Sequence, residues 1–226
     1  MFKRYITNIH EITDTYKKIL VNAKDAKVKI EPSNDNDTKL VFFENKKHPY
    51  EFFIEDDTLI IKLVKTRWYN LLRVGVDRSE IRLYVPESTL ETISVRSNTG
   101  CVDISSIICN GAIEIQINTG NVNLKSVSCQ ALRSKGNTGC ISLDKLTATE
   151  SISIKRRTGK VSLNDSSAPE IFVETNTGSV CGRLPSNTVF AVYTRTGKIK
   201  IPKPPIVETI GGRCEIKTNT GNIRFE

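Results

Sequence analysis

Six basic residues crowd the second half of the chain: Arg156, Arg157, Lys160, Arg195, Lys198 and Lys200. Guanidinium and ammonium groups set at intervals suit one task, the holding of an anionic polymer or surface through charge-assisted hydrogen bonds. Between residues 155 and 203 nine bases face three acids, Asp165, Glu170 and Glu174, so this stretch carries most of the formal net charge of +8. The plain alternative is a solvated face whose charges keep strands from pairing sideways. As a binding ridge, it fits teichoic acid, an acidic glycan or lipid headgroups. Nucleic acid fits poorly, because bases stack on aromatics and Tyr193 stands almost alone among these cations.

Residues for catalysis are few. His10 and His48 lie in polar segments, and no Gly-x-Ser-x-Gly motif is present. Asp103, Asp144 and Asp165 stand four, six and seven residues after the nearest preceding Thr-Gly threonine, so they share no column. Paired acid/base work needs two carboxyls at a fixed separation. No catalytic residue is therefore assigned, and a polysaccharide-active enzyme is the weakest reading. The six cysteines form no Cys-x-x-Cys pair and have no histidine nearby, which excludes the usual zinc patterns. They are expected to be free thiols filling core or corners, with Cys109 and Cys129 in a column of small residues. No calcium repeat of the Gly-Gly-x-Gly-x-Asp type occurs either, so neither metal nor cofactor is expected.

A repeat must position these side chains. Thr-Gly recurs at Thr99, Thr119, Thr138, Thr158, Thr177, Thr196 and Thr220, at spacings of 20, 19, 20, 19, 19 and 24. Six residues before each threonine stand Ile93, Ile113, Leu132, Ile152, Ile171, Phe190 and Cys214; three after stand Val102, Val122, Ile141, Val161, Val180, Ile199 and Ile223. Polar residues alternate with them, which is the pattern of strands with one buried face. Glycine supplies the corner, and asparagine precedes it in five copies. A period near 20 is too short for a propeller blade and lacks the leucine-rich frame. The fold expected is all-β, a parallel β-helix or solenoid of about seven coils over residues 91–226. Coils stack at about 4.8 Å, which would set Arg157 and Arg195 two coils, about 10 Å, apart. Residues 1–90 lack the period and read as a β-meander that starts or caps the solenoid, with Met1 to Thr15 undecided between helix and irregular arm. The last coil ends at Glu226 with no visible cap, which predicts a homodimer through the C-terminal coil.

The passages "KKILVNAKDAKVKIEPSNDND" and "IRLYVPESTLETISVRSNTGCVDI", and the "TNTGNI"-type copies that follow, resemble the bacterial "putative adhesin" family of β-strand-repeat domains. The resemblance covers nearly the whole chain. It implies a right-handed parallel β-solenoid and a non-enzymatic scaffold or interaction module, and it brings no catalytic residues. Many family members carry a membrane segment. No apolar run here approaches the roughly 18 residues of a membrane helix, and the N-terminus has no signal-peptide pattern, so a cytoplasmic location is expected.

Overall fold

The computed structural model describes residues 5–35, 37–45, 49–64, 79–86, 90–203 and 211–226. Every regular element among them is a strand. The first seven are β1 (Tyr5–Ile12), β2 (Lys18–Ala23), β3 (Lys27–Pro32), β4 (Thr38–Asn45), β5 (Tyr50–Glu55), β6 (Thr58–Leu63) and β7 (Glu80–Val85). The Thr-Gly region begins with β8 (Leu90–Thr99), β9 (Val102–Ser105), β10 (Cys109–Thr119), β11 (Val122–Thr138), β12 (Ile141–Thr158) and β13 (Val161–Asn164). It ends with β14 (Glu170–Thr177), β15 (Val180–Arg183), β16 (Thr188–Thr196), β17 (Ile199–Lys200), β18 (Gly212–Thr220) and β19 (Ile223–Phe225). His48, Pro204 and Pro205 lie outside the described residues.

Alternation builds the stack. Ile93 pairs in parallel with Ile113, Ile113 with Leu132, Leu132 with Ile152 and Ile152 with Ile171. Beyond the corner, Val102, Val122, Ile141, Val161 and Val180 pair in the same way. All are buried, so ladders of like side chains form one solenoid-like core. Each such side chain stabilises the fold by about 1.5–3 kcal/mol through burial alone.

Two corners shape a coil. At the first, Gly120 has φ 145, and a Cβ there would overlap the carbonyl oxygen of Gly100 in the coil below. Close backbone approach, as much as the unusual φ, therefore demands glycine. The second corner lies seven residues after the threonine, where Ser106, Ser126, Lys145 and Asp165 have φ of 55, 53, 55 and 49. No glycine marks it, so the residue types did not reveal it.

The N-terminal region differs from a meander. Strands form there, but β2, β3, β6 and β7 run parallel to the repeats. Ile19 and Val21 of β2 pair with Ile93 and Val95, while Val28 and Ile30 of β3 pair with Val102 and Ile104. Here "NAKDA" replaces the Thr-Gly corner, with Ala26 beneath Gly100. β6 and β7 then stack beneath β2 and β3. Among the described residues the antiparallel pairs are β1 with β4, β4 with β7 and β5 with β6, so β1, β4 and β5 close this end. β1 gives the undecided N-terminal arm a strand, and the stack passes residue 90 without a break.

Spatial order departs from chain order at both ends. β2 sits between β6 and β8. β18 sits between β14 and β16, and β19 between β15 and β17. The C-terminal coil is thus not the end of the stack, and the uncapped edge expected there does not exist. A homodimer through that coil loses its basis, because both of its ladders are already paired. Among the described residues the far end is formed by β16 and β17.

Candidate functional site: a cationic groove

The outer face carries its own columns. Three residues before the corner threonine, in spatial order, come Arg96, Gln116, Lys135, Lys155, Glu174 and Lys217, each in register with the next. Asn22 and Lys62 extend the column at one end and Tyr193 closes it at the other. Five cations and one acid therefore lie along nine strands, a length of about 38 Å at a rise of about 4.8 Å. They line a groove of about 1320 Å³.

The groove's other border is the asparagine column. Asn118 Nδ2 donates to Asn98 Oδ1 at 3.2 Å, Asn137 donates to Asn118, and Asn219 donates to Asn176. Arg157 interrupts this ladder between Asn137 and Asn176 and faces the groove. Lys155 meets Glu174 at 3.3 Å and Lys62 meets Glu51 at 3.5 Å, both exposed pairs of little energetic weight. Among the described residues Arg96 and Lys135 have no ion-pair partner, so their charge is open to an anion.

The six bases expected to form one ridge do not. Arg157 lines the groove, whereas Lys160 borders a smaller depression with Cys181, Arg183 and Arg224. Arg195, Lys198 and Lys200 belong to the end strands and the corner between them. The inserted C-terminal coil puts Arg195 three levels from Arg157, about 14 Å rather than 10 Å. Arg156 points inward and is only 4% exposed. Its Nη1 donates to the Ile117 carbonyl at 3.1 Å, across Gly136, where the missing side chain makes room. Its Nε and Nη2 meet no acceptor among the described residues, nor do the buried Ser134 Oγ and Thr175 Oγ1. Burial disfavours the charge and pulls the Arg156 pKa down to about 10.

Sequence reasoning missed Arg96, Lys135 and Lys217. The signal was available, since the column three before threonine holds four bases in seven copies. Counting charge along the chain, rather than down that column, concealed it. Two of the three carboxylates considered for catalysis, Asp103 and Asp165, have structural partners. Asp103 takes Lys27 at 2.8 Å and Asn123 at 2.7 Å, while Asp165 takes Arg183 at 2.6 Å. The six cysteines are free, and Cys109, Cys129 and Cys214 are buried.

Residues 16–226 match the model of the Toastrack DUF4097 family. The chain belongs to that family. Solved structures similar to this Toastrack chain include a "putative adhesin" from Bacteroides fragilis, at 18% identity and TM-score 0.60, covering 100% of this chain and 98% of that one. Another "putative adhesin", from Parabacteroides distasonis, has 11% identity and TM-score 0.52, covering 98% of this chain and 97% of that one. At these identities the likeness concerns the fold. No curated protein matches the chain.

Proposed function

We propose that this Toastrack protein is a non-enzymatic interaction module that binds an anionic partner along the groove. The observation that carries this reading is the column of Lys62, Arg96, Lys135, Lys155 and Lys217, which the strand registers align over nine strands. A concave basic surface of that length raises the local concentration of a polyanion and weakens with salt. The ion pairs of Asp103 with Lys27 and of Asp165 with Arg183 favour a structural role for both carboxylates, and so binding over hydrolysis. The expected right-handed winding of seven Thr-Gly coils belongs to the same reading, supported by the handedness of parallel strand crossovers.

The test is a groove variant, Arg96→Gln, Lys135→Gln, Lys155→Gln and Lys217→Gln together. On immobilised heparin it is expected to elute at clearly lower salt than wild type, while a variant of Lys198 and Lys200 elutes nearly unchanged. Equal elution of groove variant and wild type would overturn the reading.

A further inference from the structure

Arg156 is the anomaly of the core. A buried arginine is ordinarily paired, because an unpaired buried charge costs several kcal/mol. Here a single neutral carbonyl answers it. The two unpartnered nitrogens are not scattered. Nε and Nη2 form one side of the guanidinium, the two-donor edge whose spacing matches the coplanar oxygens of a carboxylate. The same side chain borders the cationic groove, beside Gly136 and between Lys155 and Arg157 in sequence.

We infer that Arg156 anchors a single carboxylate of a linear acidic polysaccharide lying along the groove, turning outward over Gly136 to present its Nε–Nη2 edge. This rests on the groove reading above and names its ligand. The groove suits a chain rather than a flat surface, since its cations lie along a concavity and a bilayer cannot follow it. It suits a glycan rather than a peptide, because the side-chain amides of Gln116 and Asn137 line it and offer partners to hydroxyls. The exchange is favourable for Arg156: leaving the Ile117 carbonyl gives up one hydrogen bond to a neutral acceptor and gains a bidentate pair with an anionic one.

The experiment uses the full chain, titrated with polygalacturonate, its methyl ester, inorganic polyphosphate and phosphatidylglycerol vesicles. Wild type is expected to bind polygalacturonate most tightly and the methyl ester at least tenfold more weakly. Arg156→Met fills similar space without the charge. It is expected to lose at least tenfold in affinity for polygalacturonate, to stay within about twofold for polyphosphate, and to melt no lower than wild type. Should Met disturb folding, Arg156→Lys serves, since it keeps the charge and lacks the two-donor edge; the same selective loss is expected. Unchanged polygalacturonate binding in these variants, or equal loss on both polymers, overturns the role of Arg156 while the groove reading stands. Vesicle binding as tight as polygalacturonate binding overturns the glycan assignment. Binding indifferent to the groove variant overturns the groove reading itself.

Discussion

Gly120 shows how little freedom a corner residue has. Alanine there would meet the Gly100 carbonyl and an unfavourable φ together. Gly120→Ala is expected to cost more than about 3 kcal/mol, read as a fall in denaturant midpoint, whereas Gly→Ala at an unstrained site can stabilise. The asparagine before the corner matters less, because its ladder is exposed: Asn118→Ala is expected to cost about 1 kcal/mol. Thiols report the core. Burial pushes the Cys214 pKa up to about 12, from an ordinary value near 9. The folded state then holds a proton that the unfolded state releases, so this contribution is complete below about pH 9 and falls as pH rises toward 12. The decline is at most about 1.4 kcal/mol per pH unit. The stability advantage of wild type over Cys214→Ala should shrink accordingly between pH 9 and 11. In native protein at pH 8, a thiol reagent should label exposed Cys140 and leave Cys109, Cys129 and Cys214 unreacted.

Among elements, β18 and β19 carry the largest consequence. Phe225 is 2% exposed and its ring centroid lies 5.1 Å from that of Phe190, so it ties the inserted coil to the end coil. Phe225→Ala is expected to destabilise by about 3–5 kcal/mol and to open the 212–226 segment to protease before the central coils. The strands themselves were legible in sequence, because period-2 alternation states which face is buried and Thr-Gly states where the chain bends. Their neighbours were less so. Nothing in Ile19, Val21, Val28 and Ile30 distinguishes a hairpin from another coil, once Asp25-Ala26 has replaced Thr-Gly at the bend. Spatial order was hidden for the same reason. Equal ladders of Ile and Val fit above or below any coil, so Cys214 and Ile216 gave no sign that they sit beneath Phe190 and Val192. The groove was half legible: its columns follow from the repeat, whereas the burial of Arg156 depends on a neighbouring glycine that only the register places beside it.

On the scale of the molecule, positive charge and length act together. A groove nine strands long lets several weak cation contacts add on one polymer, so affinity should rise with chain length of polygalacturonate until the groove is filled, then level off. Titration with oligomers of increasing length reads this directly; no gain beyond a dimer would argue for a local site alone. The stack order has a mechanical consequence as well. In a simple solenoid the outermost coil is also the chain end, so a pull on the terminus peels it by breaking one ladder at a time. Here the coils nearest both termini are held between neighbours on each side. A tether drawn tight through both ends must shear two ladders at once before either coil yields.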